Sequence, residues 1–245
     1  MKKIHINCDL GEGGEHDEEL MPLISACNIA CGGHAGTLET MQQTVDLAME
    51  HDVEIGAHPS YPDKENFGRV SVPMETEELK RYLVAQILSL KQIAEAEGAI
   101  LTHVKPHGAL YNDAYTNSNI AKVIIDAILE FGNDLVLYAA EGSVLSRLAQ
   151  DKLPVRFEAF ADRNYNPDGS LQNRTNSGAL LTQKEQVLEH VFSMVSEGKI
   201  TTQKGQKIDS LATTFCLHSD TPNSVEILKY LHQKLPSINI DIYRG

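Results

Sequence analysis

The sequence predicts an α/β fold, a single-domain distorted (β/α) barrel over residues 1–245 with about seven to eight mostly parallel strands. Two observations carry this. Short β-rich runs alternate with longer stretches of helical period, and polar, titratable residues follow the strand candidates rather than preceding them. The length of 245 residues suits one large barrel, and no internal repeat, low-complexity tract or Pro/Gly/Ser-rich linker divides the chain.

The elements follow in order. Residues 3–8 (KIHINC) make the first strand, and the acidic run 15–19 reads as a solvated helix start, its carboxylates near the positive end of the dipole. Residues 26–31 (ACNIAC) make the second strand; Gly32, Gly33 and Gly36 then turn the backbone into a helix beginning near Thr37. After a third strand at 53–57 (VEIGA), Leu79, Leu83, Ile87, Leu90 and Ala94 follow one face of a long helix that Gly98 can close. Residues 99–104 (AILTHV) are the fourth strand, and Ile120, Val123, Ile124, Ala127, Ile128 and Phe131 mark a helix ending before Gly132. Strands five and six are expected at 134–138 (DLVLY) and 154–160 (PVRFEAF). Thr182-Gln-Lys-Glu185 has the pattern of a capping box ahead of Val187, Leu188, Val191 and Val195. Residues 199–208 form a small hairpin turning at Lys204-Gly205, and 211–217 (LATTFCL) the seventh strand. Asp220-Thr221-Pro222 then starts the last helix with Thr at the N-cap and Pro at the first helical position, before a final strand at 238–243.

Composition excludes several function classes. Hydrophobic residues are 42% and charged residues 22%, the balance of a soluble globular protein. No apolar run approaches the roughly 20 residues of a bilayer span. The opening IHINCDLGEGG is polar where a signal peptide needs its apolar region, so the expectation is a cytoplasmic protein whose four cysteines stay reduced. With 21 Lys plus Arg against 34 Asp plus Glu, a net charge of −13 argues against nucleic acid or an anionic membrane surface as a partner.

The first strand runs into Asp9 and Glu12, the second into Asn28 and His34, the third into His58, the fourth into Lys105 and His107, the sixth into Asp162 and Arg163, and the seventh into His218 and Asp220. Any one of these serves equally well as a turn former or helix cap. In a parallel barrel, however, all strand C-termini open onto one face, which turns scattered residues into one constellation. The stretch CNIACGGHAG (27–36) looks like part of a zinc site, but no second Cys or His pair of matching spacing follows. Cys27 and Cys31, four residues apart on a strand candidate, are expected to pack as small hydrophobes. Phosphate-loop, dinucleotide and nucleophile-elbow motifs are all missing. Two readings remain: hydrolysis of an amide-like or ester-like bond by carboxylate, imidazole and lysine, or a His/Asp metal site doing the same.

Six blocks, NCDLGEG (7–13), NIACGGHAG (28–36), IGAHPSYPD (55–63) with FGR (67–69), HVKPHGALYN (103–112), FADRNY (160–165) and HSDTP (218–222), together resemble the LamB/YcsF family in the right order over nearly the whole chain. Gly33, Thr37-Leu38 and Ser219 depart from the family pattern beside the motif histidines, not at them, which bears on pocket shape and substrate range. The resemblance implies a barrel of the polysaccharide deacetylase and seven-stranded glycosidase type. It implies ATP-dependent ring opening of 5-oxo-L-proline to L-glutamate, with two further chains, 5-oxoprolinase subunits B and C, as partners. ATP is the implied cofactor, with Mg as a divalent metal accompanying it. On this reading Asp9 is the first choice of base and Glu12 the second, with His34, His58 and His107 orienting substrate or moving protons and Asp162 holding a basic partner or a metal. Lys105, Arg163 and Arg174 would neutralise phosphate and oxyanion charge; Asn7, Asn28, Arg69, Tyr111, His218 and Asp220 complete the substrate set. Alternatives are a metal-dependent deacetylase using Asp9, His34 and His58, and a non-catalytic protein that binds 5-oxoproline.

Overall fold

The structure, a computed structural model, describes residues 1–243. Its strands are β1 (Lys2–Leu10), β2 (Ala26–Ala30), β3 (Glu54–His58), β4 (Leu101–Val104), β5 (Val136–Ala140), β6 (Val155–Phe160), β7 (Lys199–Thr201), β8 (Lys207–Asp209), β9 (Thr214–Cys216) and β10 (Ile240–Ile242). β1 to β6 and β9 are parallel neighbours in a sheet that closes, because β9 pairs with β6 on one side and with β1 on the other. β1 is long enough to serve two neighbours on the same edge: Lys2 to Ile4 pair with β10, and His5 to Asn7 pair with β9. β7 and β8 form the expected antiparallel hairpin outside the barrel.

Helices α1 (Asp17–Leu20), α2 (Leu38–Glu50), α3 (Thr76–Ala96), α4 (Gly108–Thr116), α5 (Ser118–Leu129), α6 (Val144–Ala149), α7 (Lys184–Phe192) and α8 (Ser224–Lys234) connect the strands. Leu79, Leu83, Ile87, Leu90 and Ala94 are on the buried face of α3, as their spacing predicts. Ile4, Ile6, Cys8 and Leu10, alternate residues of β1, belong to the apolar cluster shared with the helices. The other set, His5, Asn7 and Asp9, meets polar side chains of the opposing strands inside the barrel. The apolar core is therefore the shell between sheet and helices, and the barrel interior is polar. None of the described helices is long and apolar enough to cross a membrane.

α2 begins just after Thr37, near the expected start, and Thr37 caps it in a reciprocal box with Thr40. Two other helix starts differ from expectation. The N-cap of α7 is Gln183, with no side-chain cap, so the Thr182-Glu185 box does not form. α8 begins at Ser224 behind Asn223, whose φ is 66°, and Thr221 does not cap it. The Thr221 hydroxyl instead donates to the buried Asp162 carboxylate, a tertiary bond that outcompetes the local cap. The seventh strand shrinks to Thr214–Cys216, because the residues before it serve as a connector from the hairpin, with Leu211 on the surface. Gly56 on β3 admits no side chain: an added Cβ would lie 2.0 Å from Nε2 of His103, whose ring crosses over it.

Candidate active site

The interior polar residues stack in tiers. At the floor, His5 lies 2.9 Å from Oγ1 of Thr214 and 3.3 Å from Glu54, which also pairs with Arg156 at 3.2 Å. Burial pushes the Glu54 carboxyl up, yet the His5 contact and Arg156 outweigh it and hold it at about 2. One tier higher, Nδ2 of Asn28 donates to Asn7 at 2.8 Å and to Asp9 at 2.7 Å, and His103 lies 2.9 Å from Oδ1 of Asn28.

Lys105 enters just after β4 and is 2% exposed, so its charge needs partners. Its ammonium donates to Asp9 at 2.9 Å and to Asn7 at 3.2 Å, and it sits 3.0 Å from Glu158. Glu158 accepts no well-aligned hydrogen bond, so its pairing with Lys105 is Coulombic. Burial alone would depress the lysine, but Asp9, Cys216 and Glu158 hold it well above its usual range. Burial likewise works against Asp9, and His58 and Lys105 overcome it, leaving that carboxyl ionised and well below its ordinary value.

Above this tier lie four residues, each from a different strand end. His58 comes from the end of β3, His107 from the N-cap of α4 beyond β4, His34 from the loop after β2 and Glu12 from the loop after β1. Oε1 of Glu12 lies 2.8 Å from Nε2 of His34, 3.4 Å from Nδ1 of His107 and 3.9 Å from Nε2 of His58. His34 and His107 stack in parallel with centroids 3.6 Å apart. Burial first, and the Asp9 charge second, push Glu12 up to about 7; burial and the neighbouring His58 push His34 down to about 3. Phe67 and Gly68, from the predicted FGR block, fold over this group, and the Phe67 carbonyl accepts from His107. An added Cβ at Gly33 would meet Gln86 and Ser60 at 2.4 Å, so these two side chains fill the space beside His34.

Across the mouth, Asp162 accepts from the His218 amide at 3.0 Å, from the His218 ring at 3.0 Å and from Thr221. Burial is again overcome, here mainly by His218, and Asp162 is held at about 2. Asp220 bridges Arg69 at 2.6 Å and Arg174 at 2.7 Å. Arg163 is buried, donates to the Gln172 carbonyl at 2.5 Å and leaves Nε without a partner; the hydroxyl of Tyr111 is likewise buried and unpaired. These residues surround a cavity of about 720 Å³ at the C-terminal end of the barrel, a size suited to a small polar ligand.

The structure thus brings all of the predicted site residues to one end of the barrel, in different positions relative to the cavity. Asp9, Glu12, His58, Arg69, Lys105, His107, Tyr111, Arg163, Arg174, His218 and Asp220 line it. Asn7 and Asn28 lie beneath it and hold Asp9 and Lys105, while His34 and Asp162 stand behind lining residues, His34 on His107 and Asp162 on His218. Sequence reading missed Glu158, Thr214 and His103. The signal for Glu158 was present: Arg156 and Glu158 alternate within a central strand, where period-2 charges must face the interior. All four cysteines are free and buried. Burial raises Cys27 and Cys31 to about 12, so both stay protonated, as expected for packing groups.

The LamB/YcsF family model matches residues 4–244. The chain belongs to the LamB/YcsF family. Within it, the protein named as the A component of 5-oxoprolinase from Haemophilus influenzae (strain PittEE) is 42% identical over 243 residues, covering 99% of each chain. Its namesake from Pyrococcus horikoshii is also 42% identical, over 98% of this chain and 96% of its own. Among solved structures, the lactam utilization protein from Thermus thermophilus superposes with a TM-score of 0.92 at 34% identity, covering 99% of this chain and 100% of that one. A family 4 carbohydrate esterase from Streptomyces lividans shares the fold at a TM-score of 0.51 and 11% identity, over 98% of this chain and 91% of its own. The chain therefore shares its barrel fold with that esterase.

Proposed function

We propose that this chain catalyses the ATP-dependent opening of 5-oxo-L-proline to L-glutamate as the A component of a complex with 5-oxoprolinase subunits B and C. The observation that carries the reading is full-length similarity, at 42% identity, to proteins named as the A component of 5-oxoprolinase. The cavity chemistry supports it. A five-membered lactam resists hydrolysis because its amide nitrogen is a poor leaving group. Phosphorylating the amide oxygen makes the ring carbon electrophilic; water then adds there, the C–N bond breaks with a proton moving to nitrogen, and a second water releases phosphate.

Each of these events has a matching group here. Arg163, which lines the cavity and keeps a buried, unpaired Nε, suits a carboxylate or phosphate oxygen. Lys105 places positive charge at the cavity floor, and Arg174 adds charge at its mouth. Between the two carboxylates, we assign the handling of water to Glu12 rather than Asp9. Asp9 is committed through Oδ1 to Lys105 and Asn28, and is the fixed counter-ion of the site. Glu12, with His58 and His107, is the group that faces the cavity and meets the attacking water.

The deciding experiment measures glutamate formed from 5-oxoproline, ATP and Mg, with the chain alone and with subunits B and C added. Glutamate is expected only, or at least ten-fold faster, in the complete mixture. No glutamate under either condition, with folded protein, sinks the proposal. A second reading, metal-dependent amide hydrolysis without ATP, is favoured by the Glu12 and histidine cluster; turnover without ATP that is abolished by a chelator would decide for it.

A further inference from the structure

Backbone carbonyls lock the tautomers of His58 and His107. A carbonyl oxygen only accepts, so Nδ1 of His58, 2.7 Å from the Lys105 carbonyl, carries a proton, and so does Nε2 of His107, 2.8 Å from the Phe67 carbonyl. In the neutral rings the two remaining nitrogens, Nε2 of His58 and Nδ1 of His107, are then bare lone pairs. They face each other at 3.0 Å, a contact that requires a proton or a metal ion between them, and the ionised Asp9 carboxylate lies 3.3 Å from Nε2 of His58, so the spot favours a positive occupant. The Glu12 carboxylate adds a third lone pair, 3.4 Å from one nitrogen and 3.9 Å from the other.

We propose that Glu12, His58 and His107 form a binding site for one divalent transition-metal ion of the zinc class, with the fourth position open to the cavity. The spacing fits. Ligand atoms around a tetrahedral zinc with bonds of 2.0–2.1 Å stand about 3.3 Å apart, and these three stand 3.0, 3.4 and 3.9 Å apart. So does the surrounding order: metal-bound imidazoles ordinarily donate their other N–H to a carbonyl, as both do here, and a ligating carboxylate is itself hydrogen-bonded, as Glu12 is by His34 at 2.8 Å. His58 and His107 are 1% and 7% exposed, so the rings cannot swing out to relieve the contact through water. Two imidazoles and one carboxylate select zinc, cobalt or nickel over magnesium, which prefers oxygen ligands. The magnesium that accompanies ATP belongs on its phosphates and is a separate ion. None of this depends on the reaction proposed above, since the site is complete in this chain without substrate.

The test uses the full chain, stripped with a chelator and titrated with Co²⁺ while its visible spectrum is recorded. One ion per chain is expected, with ligand-field bands in the visible, no sulfur-to-cobalt charge transfer in the near ultraviolet, and displacement by Zn²⁺. His107→Gln and Glu12→Gln should each weaken binding at least 100-fold, while Cys27→Ala leaves it unchanged. Circular dichroism confirms that each variant is folded; should one fail to fold, the other decides alone. Absence of Co²⁺ binding to the folded chain overturns the proposal. Binding that survives both variants, or that shows a thiolate band, overturns it equally. A further arm records the ¹⁵N spectrum of the metal-free chain on adding Zn²⁺: a shift of the His58 and His107 ring nitrogens supports the site, and unmoved rings overturn it.

Discussion

Lys105 pairs with two buried carboxylates, Asp9 and Glu158, and its removal has a calculable sign. In Lys105→Ala, Asp9 and Glu158 lose the cation 2.9 and 3.0 Å away; Asp9 keeps His58 and Asn28, and Glu158 is left buried without a counter-charge. Stability measured by urea unfolding should fall by about 3–5 kcal/mol, with turnover lost as well. His34 is the opposite case. Its Nδ1 is already buried without a partner, a cost that offsets part of what its packing and its contact with Glu12 contribute to stability. His34→Ala should lower turnover of the complete enzyme by about 100-fold or more and change unfolding free energy by only about 1 kcal/mol. Cys27→Ala should keep turnover while costing about 1 kcal/mol of packing; normal turnover in His34→Ala would show that residue to be misassigned. These residue identities were legible in the sequence because they follow strands. Their partners were not, since Glu158 meets Lys105 only after the barrel closes.

At the scale of elements, tight sites separate designed turns from incidental ones. Gly56 lies under the His103 ring, so Gly56→Ala should force β3 and β4 apart and destabilise by about 3 kcal/mol, readable as a lowered melting temperature. Thr37→Ala removes one hydrogen bond at the start of α2 and should cost about 1 kcal/mol. Thr37 and Thr221 show where local reading succeeds and where it stops. Both look like caps, but Thr37 sits at the exposed rim with no competing partner, whereas Thr221 lies against the buried carboxylate of Asp162. Strand positions came through from periodicity because a parallel strand needs only an apolar, β-branched run. Helix starts depended on tertiary bonds that no local pattern encodes.

For the whole molecule, titration sets the response to acid. Burial keeps His190 at about 4 in the folded chain against 6.5 unfolded, so the unfolded state takes up a proton first as pH falls. The His190 contribution to stability is complete above about pH 6.5 and should decline by up to about 3 kcal/mol as pH drops toward 4. Asp162, held at about 2 in the folded state, contributes above its ordinary carboxylate range and loses its contribution as pH falls from about 4 toward 2. Urea midpoints measured across this range should fall in two limbs, and His190→Gln should make the upper one shallower without removing it, because His34, held at about 3, loses its contribution over the same range; a flat profile from pH 7 to 4 in the parent protein would contradict the account. The closure of the barrel also bears on how the protein is made. β1 borders β2 within its own neighbourhood, but its other edge waits for β9, with His5 and Thr214 separated by 209 residues. At synthesis rates of about 5–20 residues per second, that edge stays open for roughly 10–40 s on the ribosome. During this interval the half-built sheet presents unpaired backbone groups and the acidic and imidazole side chains of its interior to water, and a chaperone that shields nascent strand edges would find its client here.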